Sequence, residues 1–256
     1  MLSFKSCHAL AIASASFFLC TTSSVESCSR LMYTSPDNNV IIGRSMDWME
    51  DIQTDLWAFP AGITREGGEG TTSAKWTSKY GSVIASGYNM GTTDGFNTQG
   101  LDANLLYLSS ANYGKPAAGQ TTLSVLHWAQ YVLDNYATVE EVVKEFEKNQ
   151  FHMIAPMLPN GFYPGVHLSV GDISGDNAIF EFVDGKLVIY HSPKYTVMTN
   201  EPTFDKQLAL NEYWNQLKGC FLPGTTEPSD RFVRASYYLT QTPVAKDERE
   251  AIAIVF

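Results

Sequence analysis

One cysteine constrains this chain more than any other residue. Cys28 stands in Val25-Glu26-Ser27-Cys28-Ser29-Arg30, where an export-type leader ends and a globular sequence begins. Residues 1–27 carry Lys5 in a positive n-region and an apolar run from Ala9 to Leu19, too short to span a bilayer. Val25 and Ser27 are the small residues that signal peptidase prefers at the third and first positions before a cut. Cys20 follows Leu19 rather than a small residue, which disfavours a lipoprotein. A cut after Ser27, or one near Ser23 followed by trimming, makes Cys28 the first residue of the mature chain. Thiol and α-amine then share one residue. An α-amine titrates at about 7.7–8.0, so near neutral pH part of it is free to take the thiol proton. One residue supplies nucleophile and base. The leader predicts a periplasmic or secreted protein.

The domain expected to follow is 28–256, enough for a sizeable core. A net charge of −10 argues against nucleic acid as a partner, because phosphates would be repelled. No later apolar run is long enough to span a membrane. Only Cys28 and Cys220 remain after the leader is removed. An oxidising compartment invites a disulfide between them, but a nucleophile must stay free, so two free thiols are expected. Two cysteines with no paired spacing make no ordinary zinc site.

Val40 to Trp48 reads as a strand running into a loop, after the turn signal Pro36-Asp37-Asn38-Asn39. With Cys28 in a first strand the two form a hairpin. Residues 64–79 and 91–100 read as polar, turn-rich loops, with strands at 81–88 and 101–108. Val125, Trp128, Ala129, Val132 and Tyr136 recur at helical spacing, as do Val139, Val142, Val143 and Phe146. Thr138 and Glu141 make a capping box at the second helix. After a Pro-rich connection at 155–164, four short strands are expected at 166–172, 178–183, 187–191 and 195–199. Asp184-Gly185 is a tight hairpin turn. Residues 204–217 are helical or irregular, and 245–256 read as helix. Strands, a helix pair, more strands and more helix give a layered α+β fold.

Four stretches in order carry a resemblance: Cys28 at the processing site, Arg44 and Asp47 in GRSMDW, TNEPTFD at 199–205, and SDRFVR at 229–234. Together they resemble the choloylglycine hydrolase / penicillin V acylase family, over 28–256 of the chain. The resemblance implies a four-layer αββα N-terminal-nucleophile hydrolase sandwich that cleaves linear C–N amide bonds with no metal and no cofactor. It implies that Cys28 is the nucleophile and that Asp47 holds its amine. Arg44 would lie beside the thiolate, and Arg231 would be the active-site arginine. Asn200 and the backbone N–H of Tyr107 would form the oxyanion hole. Tyr107 falls where bile salt hydrolases tend to have asparagine and penicillin acylases tyrosine. Trp48 and Trp57 would suit an apolar acyl group.

Two departures bear on these expectations. The segment between Asn200 and Arg231 is shorter than in Gram-positive bile salt hydrolases, which resembles the Gram-negative branch. The sequence stops at Ile254-Val255-Phe256, where the family normally continues with sheet strands, implying a truncated C-terminus. The expected partner is a small-molecule amide such as penicillin V, an N-acyl homoserine lactone or a conjugated bile salt; a homo-oligomer stays open. Blander readings make Arg44–Asp47 a surface ion pair, Asn200 a turn residue, Tyr107 and the tryptophans core, and Arg234 the functional arginine. Rival functions are a papain-like protease pairing Cys28 or Cys220 with His127, His152, His167 or His191, and an inactive exported binding homologue.

Overall fold

A computed structural model describes residues 27–255, apart from 38 and 69. The leader therefore lies, but for Ser27, outside the described residues. The described residues begin with β1 (Ser29–Thr34), β2 (Val40–Ser45) and β3 (Leu56–Phe59). A small hairpin, β4 (Thr64–Glu66) and β5 (Lys75–Thr77), precedes β6 (Ser82–Gly87), β7 (Gly91–Asn97) and β8 (Asp102–Tyr107). Next, β9 (Thr121–Ser124) runs into α1 (Val125–Asn135), followed by α2 (Val139–Phe146) and β10 (Phe151–Ile154). Then come β11 (Val166–Gly171), β12 (Asn177–Val183), β13 (Lys186–His191) and β14 (Val197–Thr199). Helices α3 (Phe204–Asn215), α4 (Pro228–Gln241) and α5 (Glu248–Val255) follow.

Two sheets face each other between two helical layers. The larger runs β13-β12-β11-β8-β7-β6-β3, and the smaller β14-β1-β2. Helices α1 and α2 cover the outer face of the larger sheet, and α4 and α5 cover the smaller, with α3 against α4. The alternation of strand side chains builds this. In β8, Ala103 and Leu105 join Trp128, Val132 and Phe146 in the core under α1 and α2. Leu106 turns the other way, into a second core with Cys28, Met198, Phe204 and Phe232. The expected αββα sandwich is thus what forms.

Some sequence expectations need correcting. Residues 91–97 of the expected loop are strand β7, inside the larger sheet, and only 98–100 turn. Its glycines belong to packing, since a Cβ on Gly91 would sit 2.6 Å from the Leu126 carbonyl and one on Gly95 2.6 Å from Ile84. The 64–79 stretch contains β4 and β5, anchored by Trp76, whose Nε1 donates to Asp134 at 2.7 Å. The capping box is present in a shifted form. Glu141 N–H donates to Thr138 Oγ1, and the Glu141 carboxylate accepts from Ala137 N–H instead of from the cap residue.

A polar layer ties the sheets together. Buried Arg30 donates through Nε to Asn104 Oδ1 at 3.1 Å and lies 3.7 Å from Asp102. Arg44 bonds Asp94 and the Leu105 carbonyl, both at 2.6 Å. On the same face of the larger sheet, Leu56 and Phe96 are 79% and 56% exposed. Burial pushes the Asp102 carboxyl up from 3.8 to about 7, against the pull of Arg30. A raised carboxyl means that the folded state holds the proton more tightly than the unfolded state. Its favourable contribution is therefore full at low pH and is lost as pH rises towards 7. The stability advantage of wild type over Asp102→Asn should shrink between about pH 4 and 7. Urea titrations at several pH values test this; a pH-independent difference would refute it.

Candidate active site

Strand register builds the site. Ser29 pairs with Ser45 of β2 on one side and with Thr199 of β14 on the other. Cys28, one residue before β1, is therefore flanked by the stretch after β2 and by Asn200. Cys28 is 2% exposed, and its Sγ lies 4.0 Å from the Asp47 main-chain oxygen. It lines a cleft together with Arg44, Met46, Trp48, Leu106 and Tyr107.

Arg231, in the first turn of α4, joins the parts. Its Nη1 donates to the Cys28 carbonyl at 2.6 Å and to Ser29 Oγ at 2.5 Å. Its Nη2 donates to Asn200 Oδ1 at 3.0 Å, and its Nε to the Thr226 carbonyl. Asn200 is 1% exposed and donates through Nδ2 to the Tyr107 carbonyl at 2.9 Å. One Nδ2 hydrogen remains beyond that bond, because an amide carries two. Burial pulls the Arg231 pKa down, and Cys28 and Asp47 push it back up, which places both acidic groups in its field.

The other expected residues fall less uniformly. Arg44 lines the cleft, but its terminal nitrogens hold Asp94 and Leu105, so its ion pair is across the sheets and not with Asp47. Asp47 is exposed; its carbonyl oxygen accepts from Ser27 N–H at 3.3 Å. Arg234 donates to the Pro223 carbonyl, a loop contact. At Tyr107, the carbonyl accepts from Asn200 and the ring packs 5.5 Å from Trp48 and 5.7 Å from Phe162. Trp57 is a correction: it lies outside the Cys28 cleft. It pairs with Ile84, whose side chain enters the helix-side core, so alternation turns Trp57 to that face too. There it stacks on Phe59 at 6.1 Å and lines a separate cleft with Arg65 and His127.

The sequence reading missed Tyr88. Tyr88 and Asn89 both hold positive φ, 54° and 52°, in the turn between β6 and β7. Such a turn is rare for a bulky residue and persists only where surroundings hold it. The Tyr88 hydroxyl accepts from Trp48 Nε1 at 2.9 Å and from Asn160 Nδ2 at 3.3 Å, and donates to Glu50 at 2.5 Å. Three loops meet on one phenol at the cleft. Their contacts are long-range, so only an unusual tyrosine in a turn could have signalled them.

For Cys28 the protease reading fails on geometry. None of His127, His152, His167 and His191 lines the Cys28 cleft. His167 is buried against Glu181 at 2.9 Å, and His191 pairs with Asp176. Both thiols are free, Cys28 buried and Cys220 exposed. Among the described residues no helix is long and apolar enough to cross a membrane.

A cysteine entering the first strand of an αββα sandwich, with an arginine and an asparagine converging on it, defines an N-terminal-nucleophile type of fold. The chain belongs to the choloylglycine hydrolase family of linear amide C–N hydrolases, whose model matches residues 28–256. A penicillin V acylase from Pectobacterium atrosepticum is 50% identical over 223 residues, covering 83% of this chain and 59% of that protein. The structure of a penicillin V acylase from Agrobacterium tumefaciens matches with a TM-score of 0.82 and 52% identity, over 90% of this chain and 70% of that one. A bile salt hydrolase/transferase from Clostridium perfringens is 26% identical over 89% of this chain and 76% of its own length. The chain thus spans 59% of the length of its Pectobacterium relative.

Proposed function

We propose that this chain hydrolyses linear amides with an apolar acyl group, using Cys28 as an N-terminal nucleophile after removal of a leader in export to the periplasm or beyond. The observation that carries the proposal is Arg231 bridging the carbonyl of Cys28, which lines an apolar cleft, and Asn200 Oδ1.

Cutting the Ser27–Cys28 bond frees the α-amine next to the thiol. The amine takes the thiol proton as sulfur attacks the amide carbonyl. The carbonyl oxygen becomes an oxyanion, met by the remaining Asn200 Nδ2 hydrogen. Arg231 on Asn200 Oδ1 polarises the amide, which makes that donor stronger. Collapse breaks the C–N bond, and the ammonium gives its proton to the leaving amine. Water then attacks the thioester, the α-amine takes its proton, and the acid leaves as the thiol is restored. Asp47 would hold the new amine; its carbonyl oxygen accepting from the Ser27 N–H supports this.

The cleft wall favours a flat aromatic or linear acyl group: Trp48, Tyr107, Leu106, Leu158 and Val125 line it. A hydroxylated steroid would leave hydroxyls unpaired there, each at about 1–3 kcal/mol. Expected kcat/KM is therefore roughly ten- to a hundredfold higher for penicillin V or a medium-chain acyl homoserine lactone than for glycocholate. Fifty per cent identity to a penicillin V acylase points the same way. Parallel assays on the three substrates, with intact mass to fix the N-terminus at Cys28, test this. Equal or better turnover of glycocholate would overturn the preference.

A further inference from the structure

We infer that Gln207 is a positioning residue for catalysis, holding Asn200 in place as the oxyanion donor; this rests on the amidase reading above. Gln207 lies in the first turn of α3 and is 0% exposed. Its Nε2 donates to the Pro202 carbonyl at 2.7 Å and the Asn200 carbonyl at 3.1 Å, with Thr199 O at 3.5 Å. Its Oε1 accepts from Thr199 Oγ1 at 3.2 Å, and that hydroxyl also reaches the Pro228 carbonyl at the start of α4. The two Nε2 hydrogens therefore hold the backbone at and after Asn200, and Oε1 meets the Thr199 side chain before it. The amide is linked through Thr199 to the helix that carries Arg231.

The grip has a rigid base. Both Glu181 oxygens accept from the Phe204 N–H, at 3.1 and 3.0 Å, so α3 is capped from β12 and not by its own Thr203. Glu181 is itself fixed by His167, and both are 0% exposed. The Asn200 side chain is held at its other end by Tyr107 and Arg231. With backbone and side chain both fixed, Nδ2 pays no reorganisation when the oxyanion forms. Such preorganisation is what gives an oxyanion donor its value, about 100–1000-fold in rate. A buried glutamine that merely filled the core would have no need to bond the Asn200 and Pro202 carbonyls and the Thr199 hydroxyl together.

Gln207→Met keeps length and apolar bulk but removes donor and acceptor. The expected result is a fall in kcat of about ten- to a hundredfold with KM within about twofold. Alkylation of Cys28 by iodoacetamide needs no oxyanion hole, so its rate should stay within about twofold of wild type. Amide hydrogen exchange over residues 199–203 should rise. Should this variant fail to fold, Thr199→Val frees the Gln207 amide to turn and should lower kcat in the same direction by less. Wild-type kcat in a folded variant, or alkylation falling in step with kcat, would overturn the inference. A wild-type chain inert towards all amides would sink the amidase reading instead. Exchange would then still decide whether Gln207 holds Asn200, with unchanged protection at 199–203 refuting it.

Discussion

Cys28→Ser should lower amide turnover by roughly a thousandfold or more, the scale lost when a covalent nucleophile is removed from other hydrolases. That corresponds to about 4 kcal/mol of transition-state stabilisation. The change is nearly isosteric, and Cys28 is 2% exposed among Leu106, Met198 and Phe232, so no cavity of consequence opens. The loss should therefore be chemical. A hydroxyl is a far weaker acid than a thiol, and the single neighbouring α-amine is a poor base for it. Cys220→Ser is the matched control, because that thiol is exposed and outside the cleft. Rates should be read beside thermal midpoints: the serine variant should melt within a few degrees of wild type. Residual turnover above a tenth of wild type would remove Cys28 from the mechanism.

The layered fold was largely readable because its elements obey local rules. The α1 and α2 faces repeat at helical spacing, and strands β11 to β14 are apolar runs punctuated by turns such as Asp184-Gly185. What the pattern hid were elements whose signals are non-local. Strand β7, Gly-Thr-Thr-Asp-Gly-Phe-Asn, reads as a loop because it is polar and glycine-rich, yet Gly91 and Gly95 are there to admit Leu126 and Ile84. Strands β9 and β10 are four residues each and form a two-stranded sheet, with one isolated bridge from Thr122 of β9 to Ser73. Neither has the length to show a period. The partition of strands between two sheets was likewise out of reach: β14 follows β13 in the chain but pairs with β1.

The candidate site divides along the same line. Cys28, Asn200 and Arg231 were legible from short motifs, and the structure brings them together. Trp57 was misplaced because its face depends on strand register, and one step of register reverses a side chain. The blander reading of Arg44 as the ion partner of Asp47 fails because its partner, Asp94, comes from another sheet 50 residues away. Gln207 and Tyr88 were passed over for a related reason. A glutamine in a first helical turn and a tyrosine in a hairpin turn acquire their meaning only from groups that the chain brings back from elsewhere.

Arg231→Leu should cost about a hundred- to a thousandfold in kcat/KM, and Arg231→Lys should recover less than about a tenth of that loss. The guanidinium spans two directions at once: Nη1 to the Cys28 carbonyl and Ser29 Oγ, Nη2 to Asn200 Oδ1. A lysine carries the charge but has one nitrogen at the end of a flexible stem, so it can satisfy one direction and not the other. Losing Nη2 frees Asn200 to turn and depolarises the amide that meets the oxyanion. Losing Nη1 leaves the Cys28 carbonyl unpaired beside the nucleophile. Arg231 is only half-buried, so water replaces some of these bonds and the thermal midpoint should fall by only a few degrees. Kinetics on both variants, with penicillin V as the reporter and iodoacetamide for Cys28, separate the roles. If the lysine variant matches wild type, a point charge near Cys28 is all that the reaction needs. The bridging geometry is then incidental. If both variants lose turnover while Cys28 still alkylates, the arginine acts through Asn200, and the oxyanion is where its fork is used.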